Sequence, residues 1–483
     1  MNESRTGLEY VLLFLPYVVA QLLSQAPLTS YLVAWGGSFW IFYLSLSGTV
    51  KPLPDDRSFA RQIFRPLGLT QLLFAGHNAV TSIFYVVSLH GYTYFTHNPY
   101  QPVPPQELAY AAGAQRYFVL AHAAFTTGVL LLMNYRQSGR WRFRTSLSLP
   151  RFMLVVAGGT FVMSLLLQYI PGLGQVQIRF STLALVAAVL SFALSIRSGD
   201  AGLMLLNAGI YSANLGQAFL SGWKEEVLVV FLLLAMFLYP FYRKAVSVAT
   251  PIGLAILLFI LPTYASVFRS LNWSGQASAQ QAAAVAYQQI STSDAEAIWQ
   301  NNWSFLTGRA TQIGLFTDYM RNVPSERDFY GLTIASQSVM NLVPRAFWSN
   351  KPVTEDLVMQ RAYENEVISE KSSVSAKPPF IIDGYLSYGA LGVFLSCLVY
   401  GLLASLASRL AERWFGGYLI GSGVVYTALF RDMWVGNAFE FFFNSVIWSL
   451  ILMFALFVGA RLLGILVPAE TQTPASSPAA SAA

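Results

Sequence analysis

Apolar residues run through this chain in long blocks, and polar residues collect between them. Twelve blocks can be marked, over 9–25, 29–48, 67–90, 109–133, 151–169, 180–196, 202–221, 226–241, 250–268, 383–407, 416–431 and 441–461. Several approach the ~20 residues a helix needs to cross a bilayer. The seventh and eighth are separated by only a few residues, which predicts a tight helical hairpin. Pro16 and Gln21 interrupt the first, and no cleavage site follows it, so it reads as a retained span rather than a signal peptide. The pattern predicts an all-α polytopic membrane protein of about 12 transmembrane helices.

Composition points the same way. Of 483 residues, 55% are apolar and only 11% charged, against about 25% charged in a soluble domain. Mean hydropathy is +0.50. Soluble enzymes, disordered scaffolds and secreted disulfide frameworks are poor readings of such a composition, and the lone Cys397 has no cysteine partner within the chain. The 29 basic residues outnumber the 23 acidic ones, yet they sit in short clusters between apolar blocks. That distribution is the positive-inside pattern of a membrane protein, not a nucleic-acid surface.

The clusters set an orientation. Arg5, then Lys51 to Arg65, Arg136 to Arg151, Arg197, Arg243 and Lys244, Arg409 and Arg413, and Arg461 place sixteen basic residues on one side. Arg116, Arg179, Lys224 and Arg431 are the four opposite them, the long loop aside. Both termini are therefore expected in the cytoplasm. Residues 1–268 hold helices 1–9, 269–381 form one large outer loop, 382–467 hold helices 10–12, and 468–483 are a cytoplasmic tail. The loop carries nine basic and ten acidic residues. A structureless loop of that length is unusual, so a small, mainly helical domain is expected. The tail is small, polar and proline-containing, a composition that predicts disorder.

No nucleotide-binding loop, nucleophile elbow, HExxH motif or cysteine pair at metal-ligand spacing occurs. That counts against a nucleotide-driven pump and a zinc hydrolase. His77 and His122 lie inside spans three and four, where an ionisable group is either functional or a neutral imidazole bonding one helix to another. Asn302–Met320 reads as an amphipathic helix with Leu306, Ile313, Phe316 and Met320 on one side. Arg309 falls within that stripe, so it either pairs with a carboxylate such as Asp318 or points into a polar cavity. In Asn341–Pro352, Pro344 and Pro352 stiffen a loop carrying Arg345, Trp348 and Lys351. Such a loop is either a solvated turn or an anion grip, with the Arg fork, the Lys point charge and an indole for a sugar face. Asp383 stands where the loop enters the next span, followed by Tyr385 and Tyr388. It is either a general base or a charge favoured by a helix N-terminus. Arg431, beside Asp432, is either a local ion pair or a further cation facing the same cavity.

From about Arg309 to Ala407 the chain resembles the bacterial oligosaccharide repeat-unit polymerases, the Wzy-type enzymes of O-antigen and exopolysaccharide assembly. The resemblance rests on the large loop before the last three spans. It rests also on Pro344-Arg345-Ala-Phe-Trp348-Ser-Asn-Lys351-Pro352 and on the following GYLSYGALGVF. Asn350 stands where an acidic residue is often expected. The resemblance implies a metal-independent membrane glycosyltransferase without cofactors, in the bacterial inner membrane. Donor and acceptor would be undecaprenyl-diphosphate-linked oligosaccharides drawn from the lipid. A chain-length regulator and a flippase would be its protein partners, and nucleic acid would not. Arg309, Arg345 and Lys351, with Arg431, would stabilise the departing diphosphate. Trp348, Tyr385 and Tyr388 would bind substrate, and Asp383 would take the acceptor's proton. Two rivals remain. A lipid-linked glycan ligase resembles this architecture but relies on a loop histidine, and none occurs in 269–381. A polysaccharide flippase or other secondary transporter would concentrate its charge at the bilayer midplane.

Overall fold

Each of the twelve apolar blocks is largely helical in a computed structural model that describes residues 7–54, 59–170, 172–344, 348, 350–371 and 376–469. After a short turn at Leu8–Val11 come α1 (Leu15–Leu22) and α2 (Pro27–Leu46). Each opens with a proline in its first turn, where the missing N–H has no helical partner to lose. Then follow α3 (Leu69–Leu89), α4 (Pro105–Leu132), α5 (Leu149–Leu167), α6 (Gly174–Ser198), α7 (Ala201–Leu220), α8 (Lys224–Leu238) and α9 (Arg243–Asn272). Five helices occupy the predicted loop: α10 (Ala279–Thr292), α11 (Ala295–Gly308), α12 (Ile313–Asn322), α13 (Thr333–Asn341) and α14 (Thr354–Glu364). The chain closes with α15 (Phe380–Trp414), a π-helical stretch at Tyr418–Tyr426, and α16 (Phe439–Leu462).

Among the described residues, α3, α5, α6, α9, α15 and α16 are long and apolar enough to cross a membrane. Their outward faces agree: Val155 and Phe161 on α5 and Val248, Ile252 and Ile256 on α9 are all exposed. An apolar band of that extent is stable against lipid and not against water.

The core centres on α4 and α15. A Cβ on Gly401 of α15 would lie 2.0 Å from the Phe125 carbonyl oxygen, and one on Gly128 of α4 would lie 2.3 Å from that of Leu398. Only glycine permits backbones this close, and Ala124, Cys397 and Ala404 continue the small-residue seam. Aromatic rings fill the space beside it, with Tyr400 4.3 Å from Phe442 and 4.8 Å from Phe380 between ring centroids. A second core lies between α5, α6 and α8.

The basic linkers converge at one end of this bundle. The Lys51 ammonium donates to the Leu130 and Met133 carbonyls at 2.6 Å each, and Arg409 donates to that of Leu132 at 3.0 Å. Strand β1 (Trp141–Phe143) pairs antiparallel with β2 (Leu466–Pro468), joining the linker after α4 to the segment after α16. Arg65 reaches Glu412 at 2.7 Å with both side chains buried.

The loop helices do not close on a core of their own. Ile313, Phe316 and Tyr319 of α12 and Ile334 of α13 are buried in the main core, and Arg321 grips Glu107 at the start of α4 with two bonds of 2.6 and 2.7 Å. The helix expected over Asn302–Met320 is broken between Gly308 and Ile313. Gly308 ends α11, consistent with its weak helix preference. Arg309 stands exposed at that break rather than on a buried apolar stripe. The tail from residue 470 onward lies outside the described residues.

Candidate functional site

Two polar assemblies stand out. The first forms where the α7–α8 turn meets the last turn of α9 and the α11–α12 break. Gly222 makes the turn with φ +71°, and a Cβ there would press on the Phe268 ring at 2.6 Å. Its carbonyl accepts from the Arg269 Nε at 2.9 Å. The Arg269 guanidinium then lies 4.9 Å from the Trp223 ring centre and 4.5 Å from that of Trp273. Next to Trp223, Lys224 holds its ammonium 4.0 Å above the Phe305 ring. Burial, and then the like charges of Arg269 and Arg309, push the Lys224 amine down to about 8.

Three cations thus share one neighbourhood. Among the described residues no carboxylate forms an ion pair with Lys224, Arg269 or Arg309. The adjacent acids are taken elsewhere: Arg431 holds Glu225 at 2.9 Å and Glu226 at 3.0 Å. Cation–π contacts offset part of the cost of holding the two inner cations, at about 0.5–2 kcal/mol each. They do not remove the mutual repulsion. An arrangement of this kind is suited to an anion with several oxygens.

His77 borders the same region. It sits in a π turn, Gly76–Val80, inside α3, a local widening that often marks functional positions. The ring places Nε2 2.9 Å from the side-chain nitrogen of Gln312, at the start of α12. Glu225 is the charged group whose field reaches the ring.

The second assembly is closed. Arg361 of α14 forks onto Glu440 with bonds of 2.6 and 2.9 Å and reaches Asp383 at 3.3 Å. All three side chains are at most 3% exposed. The Phe439 N–H also donates to Asp383 at 2.8 Å. Burial lowers the pKa of the guanidinium, but the two carboxylates more than offset this and raise it, so Arg361 stays charged. Beside this group, the Asn341 amide donates to the Glu440 carbonyl at 3.2 Å.

The sequence-predicted residues divide between these places. Arg309 belongs to the cation cluster, and Arg431 adjoins it as the partner of Glu225 and Glu226. Asp383 is committed to Arg361 and fully buried. Lys351 donates to the carbonyls of Asn341 and Val343 at 2.5 and 2.9 Å, at the C-terminal end of α13 where a cation complements the helix dipole. The Tyr385 hydroxyl donates to the Val323 carbonyl at 2.6 Å, and its ring is packed in the core. Tyr388 is exposed beside a kink in α15, where Gly389 has φ +57°. Trp348 is half-buried, and Arg345 lies outside the described residues. Lys224 and Arg269 were not singled out from sequence. Their signal was available: each cation lies beside a tryptophan in sequence, one residue away for Lys224 and four for Arg269.

Residues 15–468 match the family described as a domain of unknown function (DUF8712), and the chain belongs to it. No curated protein and no solved structure matches the chain.

Proposed function

We propose that this member of DUF8712 is a membrane glycosyltransferase that polymerises undecaprenyl-diphosphate-linked oligosaccharide repeat units into O-antigen or exopolysaccharide. The observation that carries the proposal is the uncompensated set Lys224, Arg269 and Arg309, at the ends of apolar helices and flanked by Trp223 and Trp273. Indoles of this kind favour the membrane–water boundary, where a lipid diphosphate carries its charge. When the bond between sugar and diphosphate breaks, negative charge grows on the leaving oxygen. Cations already in position stabilise it without reorganising. Substrates taken from the membrane need no nucleotide loop, in keeping with the motifs absent from the chain.

On this proposal the chain spans the inner membrane twelve times, with residues 269–381 outside and both termini in the cytoplasm. The convergence of the basic linkers at one end agrees with that parity. Arg309, Lys224 and Arg269 take the leaving-group role, and Arg431 keeps the neighbouring carboxylates away from them. Arg345 remains a candidate cation from the motif. Lipid-linked glycan ligation is the second candidate, and one contact favours it: the loop has no histidine of its own, yet His77 meets its Gln312.

The test uses purified protein in vesicles, supplied with the lipid-linked single repeats that accumulate in a strain deleted for this gene. Chain lengthening is expected, and Arg309→Ala should reduce it by about 10²-fold or more, the scale for one donor to developing charge. Translocation without lengthening would make it a transporter, and transfer only to a different lipid acceptor would make it a ligase.

A further inference from the structure

We propose that His77 accepts the proton of the attacking sugar hydroxyl. This rests on the transfer reaction proposed above. An acceptor hydroxyl becomes a nucleophile only as its proton leaves, and the group that takes it must have a free lone pair near the leaving-group cations. Seven carboxylates around this part of the molecule are already held in ion pairs. Glu225 and Glu226 are held by Arg431, Asp383 and Glu440 by Arg361, Glu107 and Asp318 by Arg321, and Asp432 by Arg179. A carboxylate paired in this way is a weak base, because protonating it costs the ion pair.

His77 is different in three respects. The residue as a whole is only part-buried. Its Nε2 lies 2.9 Å from the side-chain nitrogen of Gln312, a contact that suits the tautomer with its lone pair on Nε2, since an amide nitrogen only donates. It also meets the loop at Gln312, close in sequence to Arg309 of the cation cluster, and it sits on a π turn that displaces it from the regular helix. The charged group acting on the ring is Glu225 from α8, with Arg431 bound to it.

The hydroxyl oxygen of the acceptor forms the new bond to the anomeric carbon of the donor. The carbon–oxygen bond to the diphosphate breaks, and its electron pair stays on the diphosphate, against Lys224, Arg269 and Arg309. The hydroxyl proton passes to His77 Nε2, with the hydroxyl replacing Gln312 as its partner. The imidazolium then returns the proton to water. No metal or redox partner enters the balance.

The experiment compares wild type with His77→Gln, His77→Asn and His77→Ala in vesicles holding the lipid-linked single repeats. Chain lengthening per folded molecule is measured across pH 5–9, together with retention of undecaprenyl diphosphate. Gln and Asn keep a polar partner for Gln312, so a purely structural histidine tolerates one of them. A proton acceptor tolerates neither. The expected result is a 10²- to 10⁴-fold loss of lengthening in all three variants, with diphosphate retention within about twofold of wild type. Wild type should lose activity on the acid side as the imidazole is protonated, the variants' residual activity should lack that limb, and imidazole should partly restore His77→Ala. Near-normal lengthening by any variant, or an unchanged acid limb, overturns the role of His77 and leaves the polymerase proposal standing. Absence of lengthening by wild type overturns both.

Discussion

Lys224 and Arg361 show how differently one positive charge can be used. Lys224 lies among cations and rings, and its pKa is pushed down to about 8 by burial and by Arg269 and Arg309. The folded state therefore disfavours the ammonium relative to the unfolded chain, where the amine titrates near its ordinary 10.5. Between those values the unfolded state binds more protons, so stability rises with pH across that window. Lys224→Met should melt above wild type at pH 7 in detergent, and the gap should close by pH 10. Diphosphate should raise the wild-type midpoint at pH 7 more than at pH 9.5, since the neutral amine no longer attracts the anion. Arg361 is the opposite case. Removing it strands two carboxylates in a dry site, a loss of about 3–5 kcal/mol. Arg361→Ala should therefore lower the detergent melting midpoint far more than Lys351→Ala, whose partners are carbonyls at a helix end.

Element packing is set by glycines as much as by large side chains. Gly401 and Gly128 let α4 and α15 approach within backbone contact, and Gly401→Ala should cost about 1–3 kcal/mol by overpacking. Gly459 on α16 has nothing within 4 Å of its would-be Cβ, so Gly459→Ala should be neutral or slightly stabilising. Thermal melts of both variants in one detergent decide this. The helices themselves were legible in the sequence, because an apolar block between polar clusters has few alternatives. The α11–α12 break was less so: Leu306, Ile313, Phe316 and Met320 keep helical spacing across Gly308, and only the packing of α12 on α4 shows that two helices share one period. Arg309 and Arg431 were legible as unusual charges. Lys224 and Arg269 each have a tryptophan nearby in sequence, but helix hairpins bring them together and nothing local to either reports the other.

At the scale of the whole molecule, the linkers before α3 and after α4 join those after α15 and α16 at one end of the bundle. Cysteines placed in that end, with Cys397 replaced, should share one pattern with a membrane-impermeant thiol reagent, unreactive until lysis. Cysteines in α10 or α13 should react in intact cells. Equal labelling of both sets would overturn the proposed topology. The ion pair that helps hold that end has a further consequence, in the order of manufacture. Arg65 and Glu412 are 347 residues apart in the chain. At about 5–20 residues per second, Arg65 waits roughly 20–70 s before its counter-charge is made. Until then the guanidinium can reach the neutral oxygens of Gln62 and Tyr135, which leave its charge unbalanced. Burial of Arg65 is therefore balanced only once α15 is made, and a nascent chain cut short before Glu412 lacks the carboxylate that balances it.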